Sequence, residues 1–338
     1  MKIMQCLATA ATTSALILGV SPAAMAQNAP VIFGTNWVAQ AEHGGFYQAV
    51  ADGTYAACGL DVTIQPGGPQ VNNRALLLAG KIDYNMGGSM LDAFSAAQEG
   101  LPIITVGTAF QKEPQVILSH PGRVKSFEDL KTLDKIFISD GGVLTFWAWM
   151  MKAYGFKPEQ REVYTFNSAP FVTDPNSGMQ GYLSSEPYFV EKETGLKADV
   201  WLIADAGYTA YSTTLETMAD TVASKPDQVT CFVEGSIKGW YNYIYNDNAA
   251  ANAMIKADNP EMSDAAIAYG ITKMQENGIV DSGDSLTLGI GVMTDAKVED
   301  FFNKMVSAGV VPADLDWKAS YTTQFVGKGV GLDLKPAQ

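Results

Sequence analysis

Residues 31–53, VIFGTNWVAQAEHGGFYQAVADG, decide how the chain reads. Residues 31–33 are an apolar strand, and Thr35, Asn36 and Trp37 a polar and aromatic turn. A glycine-opened helix follows, because His43, Phe46, Tyr47 and Val50 recur at three- and four-residue spacing on one face. In open α/β sheets, ligands sit at strand ends and at the helix starts that follow them. This unit therefore predicts an α/β fold and its own place beside a cleft.

Working outward, the same alternation continues. Residues 59–65 read as a strand, 66–69 as a Pro-Gly turn, and 72–79 as a short helix closed by Gly80. Residues 82–86 read as an apolar strand. Gly87, Gly88 and Ser89 then open a helix that runs to Gln98. Strands at 103–106 and 115–118 complete a series that predicts a mostly parallel sheet with helices on its faces.

His120, Pro121 and Gly122 break that pattern, and a second series starts. It comprises a capped helix at 126–130, strands at 136–139, 162–166, 181–184 and 200–204, and a helix at 143–154. Gly141 and Gly142 open that helix. It carries Phe146, Trp147 and Trp149 and is apolar on nearly every side, which predicts burial, with one aromatic reaching a cleft. Residues 206–214 return the chain to the first unit, and helices at 226–245, 249–257, 263–277 and 295–308 end it. Two crossings, near 119–122 and 206–211, suit hinge closure over a ligand. The expected division is 27–118 plus 213–338 as one lobe and 119–212 as the other.

Residues 1–26 read as an export signal. Lys2 supplies the positive start, 11–20 an apolar run, and Ala24-Met25-Ala26 a small-x-small cleavage site, so cleavage near Ala26 and a periplasmic location are expected. Cys6 precedes the apolar run, which argues against a lipoprotein. Removal leaves 312 residues (338 − 26), more than one comfortable core.

The formal charge of −14 comes with arginine at positions 74, 123 and 161 alone, and no basic run. That balance excludes nucleic acid and anionic membranes as natural partners. Arg74 alone falls near the expected cleft edge, at a helix position that reads as surface. His43 and His120 are far apart and there is no CxxC, so no zinc site is expected. Cys58 and Cys231 could be joined in an oxidising compartment or stay as buried thiols.

The residues also carry a family likeness. Asn36-Trp37, His43, Gly53-Thr54-Tyr55 and Gly59-Leu60-Asp61-Val62 resemble motifs of the solute-binding proteins for nitrate, sulfonates, taurine and thiamine pyrimidine precursors. Lys81-Ile82-Asp83-Tyr84, Phe127-Glu128-Asp129-Leu130 and Glu186-Pro187 resemble further segments of that family, in the same order along the chain. The resemblance implies a two-lobed periplasmic binding protein fold of the second type, with two hinge crossings and a ligand cleft between the lobes. It also implies a monomer that delivers a small molecule to the permease and ATPase subunits of an ABC importer, without a cofactor. No P-loop occurs here, so the ATPase is another chain. The pyrimidine branch shares its scaffold with a fungal pyrimidine synthase, which implies an enzymatic alternative. That enzyme has a Cys-rich run after the second crossing, and residues 208–218 contain no cysteine.

Within the cleft, Trp37 is expected to stack on a flat ring, Asn36 to read its donor–acceptor edge, and His43 to hydrogen-bond from the helix start. The competing assignments are core packing for Trp37 and a simple cap for His43. Glu186 suits an exocyclic amine, or is a solvated turn acid. Ser89 and Gly142 mark helix starts that can offer N–H groups. Asn167, Gln180, Tyr188 and Tyr208 lie on loops expected to face the cleft. Scarce arginine favours an N-heteroaromatic such as a thiamine pyrimidine precursor over nitrate or an alkyl sulfonate, since oxoanion sites usually recruit a bidentate arginine.

Overall fold

The computed structural model describes residues 28–69 and 71–336, so the expected export signal lies outside the described residues. Ten strands follow in chain order: β1 (Ala29–Gly34), β2 (Leu60–Gln65), β3 (Tyr84–Ser89), β4 (Ile103–Phe110) and β5 (Gln115–Ser119), then β6 (Lys135–Ile138), β7 (Arg161–Val163), β8 (Ser177–Tyr182), β9 (Asp199–Leu202) and β10 (Ser212–Met218). They form two five-stranded sheets, ordered β2-β1-β3-β10-β4 and β7-β6-β8-β5-β9. Each sheet is covered by helices, which gives a two-lobed α/β architecture. Among the described residues no helix is long and apolar enough to cross a membrane.

β1 buries Val31 and Phe33 and turns Ile32 outward, the two-residue alternation of a strand with one packed face. Phe33 meets Phe46 and Phe232 edge-on at 4.8 and 5.2 Å. Phe232 belongs to the 20-residue helix Pro226–Tyr245, whose stripe of Val229, Phe232, Val233, Ile237, Trp240 and Ile244 is buried against the first sheet and its helices. Each such aromatic contributes roughly 2 to 3 kcal/mol by leaving water. The close fit of this helix to Gly44–Ala51 depends on glycine. A Cβ on Gly239 would stand 2.1 Å from the Gly45 carbonyl oxygen, and one on Gly45 would stand 2.2 Å from the Trp240 ring.

Several sequence expectations are corrected. The sheets are mixed rather than mostly parallel, because β10 runs antiparallel between β3 and β4, and β5 antiparallel between β8 and β9. Apolar alternation marks where strands lie but not which way they run. β10 was not legible as a strand at all: its sequence STTLETM is polar, yet it is buried because strands flank it on both sides.

The lobe boundary at 118 also moves. β5 is hydrogen-bonded into the second sheet, so the chain leaves the first sheet after Phe110 and crosses at 111–114. His120, Pro121 and Gly122 form a turn inside the second lobe, closed by the Arg123 N–H donating to the His120 carbonyl. The chain returns between β9 and β10, through 203–211.

Gly87 and Gly88 continue β3 instead of opening a helix. A Cβ on Gly87 would come within 2.2 Å of Glu216 Oε1 on neighbouring β10, so the strand passes there only without a side chain. In the second lobe β7 ends at Val163, three residues short of Phe166, and β8 starts four residues before Gly181. Cys58 and Cys231 are joined by a disulfide, with 5.8 Å between their Cα atoms.

Candidate functional site

A cavity of about 440 Å³ lies between the lobes, within the usual range for small-molecule sites. Its first wall is mainly one run, Asn36, Trp37, Gln40, Glu42 and His43, with Met86 and Asp92 beside it. The second is assembled from five separate segments: Gln115, Ser139 with Gly142, Tyr164 with Phe166, Gln180 with Tyr182, and Ser185 with Glu186. Asn36, Trp37, His43, Gly142 and Glu186 thus line one cavity.

His43 ends a 3-10 turn, Ala41–His43, that precedes the helix. Its Nδ1 accepts the Gln40 N–H at 3.2 Å, so the ring hydrogen sits on Nε2, 3.5 Å from Asn36 Oδ1. Burial holds the imidazole neutral, lowering its pKa to about 3. With its oxygen turned towards the histidine, Asn36 keeps its NH₂ free for the cleft. The exposed Asn36 and half-buried Trp37 both face the opening, and Trp37 is not a core residue.

Above the cavity the Trp37 ring lies 5.1 Å from Phe166, tilted by 43°, and Phe166 lies 5.2 Å from Tyr164. Phe166 is 52% exposed and has φ of +61°, a left-handed conformation that costs a non-glycine residue on the order of 1 kcal/mol. An exposed, strained aromatic facing a second aromatic from the other lobe is an arrangement of clefts rather than of cores.

Glu42 is buried and accepts a hydrogen bond from Ser184 Oγ; burial raises its pKa. Glu186 opens the helix Glu186–Thr194, where Oε2 accepts the Tyr182 N–H at 2.6 Å. Burial pushes its pKa up to about 7, against the lowering effect of those backbone hydrogen bonds. Half-buried, lining the cavity and bonded to the Tyr182 N–H, it is a cavity acid and not a solvated turn. Gln180 Oε1 accepts the Ser139 N–H at 2.9 Å, which leaves the Gln180 NH₂ as a second amide donor. Asp92 adds a third carboxyl, and among the described residues no lysine or arginine lines the cavity.

Two sequence candidates are not brought to this cavity. Ser89 is buried as the N-cap of Met90–Gln98, where its Oγ accepts the Leu91 N–H. Tyr188 lies on the far side of its helix turn, packed against Phe189 and Tyr269. Of the other loop candidates only Gln180 lines the cavity. Asn167 Oδ1 accepts the Ala169 N–H, and Tyr208 is buried against Trp149 and Phe301. Trp147 and Trp149 are core, and the aromatic that their helix sends to the cleft is Phe146. Gly142 lines the cavity, but its N–H is already taken by Ser139 Oγ. Glu42, Tyr164 and Phe166 were missed. Glu42 stands beside His43 in the sequence, which was the available signal; nothing in the sequence marks Phe166.

Comparison with known proteins gives the family and the fold. Residues 40–251 match the model of the NMT1/THI5-like family. The riboflavin-binding protein RibY of Chloroflexus aurantiacus is 24% identical, over 97% of this chain and 95% of its own. Among solved structures, the putative sulfonate ABC transporter periplasmic binding protein SsuA of Methylobacillus flagellatus superposes with a TM-score of 0.62 at 12% identity, covering 88% of this chain and 93% of that one. The desulfurization enzyme DSZB superposes with a TM-score of 0.54 at 11% identity, covering 88% and 97%. The chain belongs to the NMT1/THI5-like family and has the periplasmic binding protein fold.

Proposed function

We propose that this member of the family is the exported solute-capturing subunit of an ABC importer, and that its cleft takes an uncharged, planar N-heteroaromatic. One observation carries the ligand class: a cavity roofed by Trp37 and Phe166 whose ionisable lining groups, apart from the neutral His43 and the phenols Tyr164 and Tyr182, are the carboxyls of Glu42, Asp92 and Glu186, with no lysine or arginine among the described lining residues. A ring between the lobes gains area and stacking from the aromatics. The amide NH₂ groups of Asn36 and Gln180 donate to ring carbonyls or nitrogens, while Glu186 accepts from ring N–H or exocyclic amine groups. Closing the lobes over the ring presents the permease with a loaded form, and release returns the ligand unchanged.

A sulfonate or nitrate would find no lysine or arginine among the described lining residues, whereas oxoanion sites usually recruit a bidentate arginine. Thiamine pyrimidine precursors and flavins both satisfy the chemistry, and the likeness to a riboflavin-binding protein supports including the larger ring. Calorimetric titration with an aminopyrimidine, a flavin, taurine and nitrate tests the reading. Micromolar or tighter binding is expected for at least one heteroaromatic and none for the anions. Tight taurine or nitrate binding with no heteroaromatic binding overturns it. Recovery of every bound ligand chemically unchanged is the expected result against the enzymatic alternative.

A further inference from the structure

Resting on that reading and extending it, we propose that the ligand carries an uncharged polyhydroxylated chain beside its ring, and that this chain occupies a second cavity in the first lobe. This cavity measures about 650 Å³ and shares Asn36, Met86 and Asp92 with the ring cavity, so the two adjoin. It lies between the short helix Asn73–Leu78, the Gly87–Gly88 end of β3 and Glu216 of β10. Its lining differs in kind from the first: no aromatic ring contributes, and amides, carboxyls and one guanidinium alternate.

Two of the lining side chains have unfilled hydrogen-bonding capacity. Asn85 is 5% exposed and Asn73 7% exposed. Their amide NH₂ groups are spent on Glu216 Oε2 at 2.7 Å and on the Thr35 carbonyl at 2.6 Å. The carboxamide oxygen of each has no partner. Buried polar atoms in native proteins are seldom left so, and unfilled capacity at a cavity wall marks a place for a ligand's polar groups. Arg74 is part of the same wall, not the surface residue that its helix position suggested. Its Nη2 donates to the Asp92 carbonyl at 2.7 Å, and the other N–H groups of the guanidinium remain for a ligand.

A hydroxyl both donates and accepts, so a chain of hydroxyls can serve acids and amides in alternation. An alkyl chain would leave them unpaired. A phosphate would set its charge against the Asp92 and Glu99 carboxylates, with Arg74 the one cation among the described lining residues.

Three flavins separate the possibilities in titrations of the mature protein: riboflavin, lumiflavin, which has a methyl group in place of the ribityl chain, and riboflavin 5′-phosphate. Riboflavin should bind at least tenfold more tightly than either of the others. Arg74→Ala and Glu216→Gln should each lower the riboflavin-to-lumiflavin affinity ratio at least threefold. Arg74→Ala removes a half-buried side chain and serves if Glu216→Gln fails to fold. Equal binding of riboflavin and lumiflavin overturns the chain site while leaving the ring reading intact, as does binding of an aminopyrimidine but of no flavin. Equal binding of the phosphate overturns the requirement for an uncharged chain. Failure of every heteroaromatic overturns both readings.

Discussion

The two walls of the cleft are made in opposite ways. The first-lobe wall is mainly one short run, 36–43, with Met86 and Asp92 beside it; the run is carried on the end of β1 and the start of the helix Gly44–Ala51, and that helix is locked by glycine contact to Pro226–Tyr245. The second-lobe wall collects side chains from five places separated by up to 71 residues (115 to 186) and includes a strained backbone at Phe166. A wall built from one run inherits its geometry from local structure. A wall gathered from several loops exists only when the whole lobe has folded around it.

Four perturbations sharpen or break this contrast. The largest concerns the support of the first wall. Gly239→Leu drives a side chain into the Gly45 backbone, which cannot yield as a side chain would. A loss of at least about 3 kcal/mol in denaturant unfolding is expected. A loss under 1 kcal/mol would show that the helix contact does not hold the wall.

Next comes the acid of the second wall. The Glu186 carboxyl has its folded pKa near 7 and an ordinary value of 4.5. Between those values the unfolded chain releases its proton first, so this group lowers stability as pH rises from 4.5 to 7 and changes it little above. Glu186→Gln should therefore match the parent below pH 4.5 and exceed it at pH 8 by on the order of 2 kcal/mol. An unchanged pH profile would mean that the carboxyl is solvated in solution.

The roof tests the function of the two walls together. Trp37→Ala should weaken heteroaromatic binding by at least about 1 kcal/mol while leaving the unfolding midpoint nearly unchanged, because Trp37 is only half-buried. Unaltered affinity in the folded variant would remove Trp37 from the site. The smallest effect is at Phe166. Phe166→Gly should be more stable than Phe166→Ala by up to about 1 kcal/mol, reversing the usual order of those residues, since only glycine adopts φ of +61° without strain. Both should bind more weakly than the parent.

The same contrast explains what the sequence disclosed. Asn36, Trp37 and His43 were legible because they sit together at a strand end and helix start whose periods are plain. The helices Pro226–Tyr245, Ala249–Asp258, Asp264–Glu276 and Asp295–Ser307 were legible to within a residue or two for a similar reason, since each buries a stripe against a sheet or its neighbours. Glu186 was found through its apolar neighbours and the family likeness. Phe166 was not, because a left-handed aromatic at the end of a loop has no local signature. β10 was hidden by its polar side chains, and with it Glu216 and the cavity that it borders. The placing of β5 turned on pairing partners 59 or more residues away, β8 and β9. Ser89 failed as a site residue because a serine before a helix serves the helix first.

The bond between Cys58 and Cys231 spans 173 positions, and both crossings and every strand of the second lobe lie inside that span. The second lobe is thus an excursion from a covalently closed ring. A protease that cuts once anywhere in the excursion leaves a single molecule under non-reducing conditions, with both cut ends still attached to the first lobe. New chain termini could be opened at an exposed turn such as the one around Gly122 without setting either piece adrift.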